Sequence, residues 1–235
     1  MVNADQPNVT KRLSQRAWIG TMVPYIVPTA LFMLMTALEG YRPAQYVWIY
    51  IAKVLVVSAS LVVYRQTWKD YRFDWRVVLP AIVIGLIVFA EWIPVDKATP
   101  FHLSAGKRTA LNPFAGIADP SVRTLFLTFR FFGLALMVPF MEELFWRSFL
   151  LRLFSEPDGD FRTLPQGKFT WAAFGMVVAA FALAHPEWLS AVICAVLYGL
   201  LLWRTRNLFA CFLAHAVTNL VLGIYIIQTH NWIYW

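Results

Sequence analysis

Charge is what this sequence has least of. Only 14% of its 235 residues are Asp, Glu, Lys or Arg, while 60% are hydrophobic and the mean hydropathy is +0.59. An ordinary soluble domain carries about 25% charged residues, so most of this chain lacks the means to face water. Cysteine is nearly absent. Cys194 and Cys211 both fall in apolar stretches, which excludes a disulfide framework and makes them small buried hydrophobes. No cleavable leader is expected: the first 16 residues are polar and the first apolar run, long enough to span, reads as an anchor that stays. Repeats and low-complexity tracts are absent. No HExxH occurs, which disfavours the usual zinc-peptidase helix. The seven aspartates (Asp5, Asp70, Asp74, Asp96, Asp119, Asp158 and Asp160) fall outside the expected spans, against an intramembrane aspartyl protease.

What is there is a series of long apolar runs. A membrane span needs about 20 mostly apolar residues. Seven stretches qualify or nearly so: 17–38, 44–64, 77–93, 124–151, 170–185, 188–203 and 207–228. The expected fold is an all-α polytopic transmembrane bundle of about seven spans. It forms one integral membrane unit, with N-terminal helices and an outer loop over 1–121 and motif-bearing helices over 122–235. The fourth run is longer than a bilayer requires. The fifth and sixth are short and are parted by His185-Pro186-Glu187, where proline forbids easy helical continuation. The segment 94–121 reads as an outer loop that lies on the surface or covers the bundle.

Net charge is +7 with a pI near 9.6. Without a soluble domain, that excess belongs to membrane-flanking residues rather than to nucleic-acid binding. With the N-terminus in the cytoplasm, twelve basic residues fall inside and five outside. The bias favours a cytoplasmic N-terminus and an external C-terminus.

The spans contain groups that lipid rejects: Glu142, Glu143, Arg147, His185, His215 and Asn219. Lys53 and Arg130 read as nearer span ends or able to snorkel. A carboxylate at the bilayer centre costs about 2.5–3.5 kcal/mol, so packing alone does not explain two in a row. Glu143 and Arg147 are four apart, in the favourable order for an ion pair on one helix face. Glu142 is rotated about 100° away and has no local partner. His215 and Asn219 are also four apart and share a face.

These residue types suit hydrolysis. Glu142 with His185 can hold and deprotonate a water, while His215 and Asn219 can donate to a developing oxyanion. No serine or cysteine nucleophile is needed. Ser148 and Ser190 qualify only by residue type, and Cys211 only by lying one turn from His215. A zinc site built from Glu142, His185 and His215 stays open. So do a non-catalytic role, as a membrane partner or immunity-type protein, and a proton relay in a transporter.

Three patterns then come together. Glu142-Glu143-Leu144-Phe145-Trp146-Arg147 resembles the EExxxR motif of the CAAX protease and bacteriocin-processing family of intramembrane glutamate proteases, which includes the Ras-converting CAAX endopeptidases. Phe181 to His185 resembles its FxxxH motif, and His215 to Asn219 its HxxxN motif. The resemblance implies a metal-independent membrane endopeptidase without a cofactor, acting on a membrane-associated peptide or protein. In it Glu142 and His185 activate water, His215 and Asn219 form the oxyanion hole, and Glu143 and Arg147 support the site. In length and general character the chain is also similar to the bacterial CAAX protease-related group found beside exosortase and PEP-CTERM sorting systems. One tension stands. On the expected boundaries Glu142 and His185 differ in depth by about 10 Å, unless tilt, a late helix start or a re-entrant segment near 155–170 closes the gap.

Overall fold

The computed structural model describes residues 15–101 and 110–235. Lys11 and Arg12 of the orientation count, and Lys107 and Arg108 of the outer loop, lie outside the described residues. Seven helices carry the fold: α1 Gln15–Tyr41, α2 Tyr46–Val63, α3 Val78–Ala98, α4 Pro120–Ser155, α5 Trp171–Leu183, α6 Trp188–Thr205 and α7 Leu208–Thr229. Among the described residues there is no strand, and all of these but α5 are long and apolar enough to cross a membrane. Every apolar run named from the sequence became a helix, with ends displaced by a few residues.

Local chemistry sets the boundaries. Asp119 caps α4, its carboxylate accepting from the backbone N–H of Ser121 and Val122, with Pro120 at the first helical position. Thr170 caps α5 and Asn207 caps α7. Arg206 ends α6 in the left-handed region (φ 54°), its N–H returning to the Leu202 carbonyl. Large apolar side chains such as Leu34, Val63, Leu79 and Leu183 are each more than 60% exposed, as expected where lipid covers them.

α3 lies against both α6 and α7. Gly85 permits the close approach to α7, because a Cβ there would sit 2.5 Å from the Ala214 carbonyl oxygen. The Gly85 carbonyl instead accepts from Thr218. With its single hydrogen so committed, the Thr218 oxygen accepts from Tyr198 of α6, tying three helices at one point.

α4 is not a uniform α-helix. It widens into π turns at Gly133–Met137 and again at Leu144–Leu150, on either side of the α segment Val138–Glu143. Such turns are frequently found at functional sites.

The chain between α4 and α5 settles the question of depth. α4 runs to Ser155, and residues 156–170 fold back so that the Thr170 N–H donates to the Ser155 hydroxyl at 3.2 Å. From that shared level Glu142 lies about 20 Å along α4 and His185 about as far along α5, at about 1.5 Å per residue. α5 has 13 residues and stops at the depth of the site rather than beyond it.

Two expectations need correction. Lys53 does not snorkel. It is 4% exposed and pairs at 2.7 Å with Glu39 of α1, between the rings of Phe32 and Tyr50. A paired, ring-flanked ammonium has its needs met inside the bundle. Asp96 does not lie outside the spans either, because α3 continues to Ala98 and buries it.

Candidate active site

Between α3, α4, α5, α6 and α7 is a cavity of about 150 Å³. Glu142, His185, His215 and Asn219, from three separate stretches of sequence, all line it. Its remaining wall includes Trp92, Val138, Phe181, Cys194, Tyr198, Thr218 and Leu222. A water molecule takes about 30 Å³ of liquid, so the space holds a few waters or part of one extended peptide.

Helical geometry separates the two glutamates as expected. Glu143 points into protein with no exposed surface and accepts from Arg147 at 3.2 Å. The Arg147 guanidinium lies over the Phe181 ring at 4.5 Å and near that of Tyr198 at 5.5 Å. The same Glu143 oxygen also contacts His215 Nδ1 at 2.9 Å. A carboxylate only accepts, so this nitrogen carries the proton and Nε2 is left for the cavity. The Glu143–His215 contact joins residues 72 apart and has no local signature in the sequence.

The Oε2 atom of Glu142 is buried without a hydrogen-bond partner among the described residues. His185 has its Nδ1 at 2.7 Å from the Phe181 carbonyl and its ring stacked on Phe181 at 4.3 Å. A carbonyl likewise only accepts, so Nδ1 is the donor and Nε2 presents a lone pair in the neutral ring. Trp92 meets the His185 ring edge-on at 6.3 Å. Asn219 donates one amide hydrogen to the Leu134 carbonyl in the first π turn, at 2.9 Å. Its second hydrogen is uncommitted.

The other candidates separate from this group. Ser148 donates to Asp70 at 2.5 Å, Ser190 to the Trp92 carbonyl at 2.9 Å and Cys211 to the Tyr198 carbonyl at 3.3 Å. None of the three lines the cavity. Among the described residues no three His, Cys, Asp or Glu side chains meet as a set able to hold a metal ion. Glu142, His185 and His215 share a cavity without forming one, and both histidines use Nδ1 elsewhere. Sequence reasoning passed over Glu91, inside the third apolar run. Both its carboxylate oxygens are buried without partners among the described residues, next in sequence to cavity-lining Trp92. Its position within a span was the available signal.

Fold and site together define a polytopic α-helical membrane protein with a carboxylate and imidazole cluster enclosed among its helices. Residues 124–221, which hold all three motifs, match the family model described as type II CAAX prenyl endopeptidase Rce1-like. No curated protein and no solved structure matches the chain.

Proposed function

We propose that this protein is a membrane endopeptidase in which Glu142 and His185 activate a water molecule without a metal ion. The observation that carries the reading is the convergence of Glu142, His185, His215 and Asn219 on one cavity. The motif-bearing helices supply these residues, with the N-terminal helices over 1–121 as their support.

The orphaned Glu142 oxygen accepts one hydrogen of a water, and the lone pair on His185 Nε2 accepts the other. Glu142 takes the proton as the water oxygen attacks the scissile carbonyl. His215, doubly protonated in this role, keeps one N–H on Glu143 and offers the other to the oxyanion, and the free Asn219 hydrogen is the second donor. When the C–N bond breaks, the proton held by Glu142 passes to the leaving amine. Glu143 and Arg147 act through His215 as positioning residues. The substrate is a membrane-associated peptide or protein; the resemblance to the bacterial CAAX protease-related group supports a bacterial inner (plasma) membrane location, and the charge bias supports a cytoplasmic N-terminus.

The test compares membrane peptides from cells carrying wild-type protein and Glu142→Gln. The amide keeps the shape but lacks the base, so cleavage should fall by at least about 10²-fold, toward the upper range of general-base effects, while expression and membrane insertion stay unchanged. Retained cleavage would remove Glu142 from the chemistry. Activity abolished by chelators and restored by zinc would replace the metal-independent mechanism with the zinc one.

A further inference from the structure

A second and larger cavity, about 1050 Å³, opens at the end of the bundle where α2, α4 and α6 finish. Three connections build it: residues 64–77, 156–170 and 206–207. Its lining holds six basic and two acidic residues, with no histidine or glutamate. The acidic residues do not cancel the excess. Asp70 is engaged by Arg152 at 2.9 Å, by Ser148 and by Tyr25. Arg162 is occupied by Asp160, and its hydrogen bonds hold that carboxyl below the usual carboxylate range. Lys69, Arg72 and Lys168 have no ion-pair partner among the described residues. Asp74 accepts from the Arg76 backbone N–H and Arg206 donates to the Gly167 carbonyl, so among the described residues four cations without an ion pair face one polar space against one such carboxylate.

The wall is built rather than incidental. Gly167 has φ 72°, and a Cβ there would meet the Leu202 carbonyl oxygen at 2.4 Å. Only glycine lets the 165–168 turn close onto the end of α6. Arg206 donates to the Gly167 carbonyl and clasps the turn. Gln166 reaches Ser148 at 2.8 Å, fixing the same turn to α4. Exposed aromatic side chains mark the depth. Phe73 lines the cavity and Trp75 follows it, 59% and 77% exposed. Such residues favour the headgroup level of a membrane.

The geometry points to a binding site for a phosphate-bearing anion, with an anionic phospholipid headgroup as its occupant at this depth. Phosphate oxygens suit a cluster of lysine and arginine donors. The lipid-facing rim lets the acyl chains stay in the bilayer while the headgroup enters. The site is separate from the proposed peptidase cavity and does not depend on it.

Native mass spectrometry of the detergent-purified protein tests this with phosphatidylglycerol, phosphatidylcholine of the same chains, and glycerol 3-phosphate. Wild-type protein should retain phosphatidylglycerol over phosphatidylcholine, less so as salt rises. Lys69→Gln/Arg72→Gln/Lys168→Gln should lose about fivefold per removed charge, on the order of 100-fold in all. The charge-keeping Lys69→Arg/Arg72→Lys/Lys168→Arg variant should retain binding and guards against a folding defect. Competition by glycerol 3-phosphate would identify a soluble phosphate as an equal occupant of the same anion site. Equal retention of both lipids with no binding of glycerol 3-phosphate, or undiminished binding by the neutral variant, would overturn the proposal.

Discussion

A buried charge is explained only by its partner, and partners differ in how visible they are. Glu143 and Arg147 were legible as a pair because four residues on one helix bring side chains together. Glu39 and Lys53 were not, since they meet across two helices and Glu39 lies beyond the expected end of the first run. That pair gives a test free of the candidate site. Lys53→Met leaves Glu39 buried without its ion-pair partner, so thermal unfolding in detergent should show a loss of about 3–5 kcal/mol. Glu39→Gln/Lys53→Met removes both charges and should recover most of it. Equal loss in both variants would mean that lysine packing, not charge, holds α1 to α2. The roles expected of Glu142, His185, His215 and Asn219 came from residue type and motif order. What the sequence did not contain was the bond from His215 to Glu143, which leaves His215 only Nε2 to offer the cavity.

At the scale of helices, apolar run length identified each element, because in lipid a helix must satisfy its own backbone. Depth was less legible. It depends on where 156–170 turns back, and that is set by one backbone bond to Ser155 and by the close fit of Gly167. The fit between α3 and α7 makes a sharper prediction. Gly85→Ala drives a methyl into the Ala214 carbonyl one residue before His215. It should cost about 1–3 kcal/mol and lower the proposed peptidase activity with it. Gly175→Ala on α5 meets open space and should be neutral or slightly stabilising, as helix propensity dictates. The pair of melting curves checks both statements.

For the whole molecule, seven helices place 64–77, 156–170 and 206–207 at one end. Phe101 stacks on Trp188 at the other, where Phe114 also nears Trp232. Orientation is then testable with single cysteines, and the buried native Cys194 and Cys211 should give little background. An impermeant thiol reagent on intact cells should label His230→Cys and spare Asp158→Cys. Inverted membrane vesicles should give the reverse. The opposite pattern would invert the molecule in the membrane and put the basic cavity outside.

The two π turns of α4 have a consequence for how this chain tolerates length changes. Each takes in about one residue more than a regular helix needs for the same rotation, and three patches on the rod keep separate aims: Arg130 at Tyr46, Glu143 at His215 of α7 and the Ser148–Arg152 pair at Asp70. Loss of a single residue within Leu144–Leu150 would let the backbone close into a regular α-helix. Everything beyond would keep its direction, because a π turn uses about one residue more than an α turn for the same rotation. The helix would survive intact with both ends still facing their neighbours, so a one-residue deletion in this stretch should be tolerated better than one in the regular α segment Val138–Glu143.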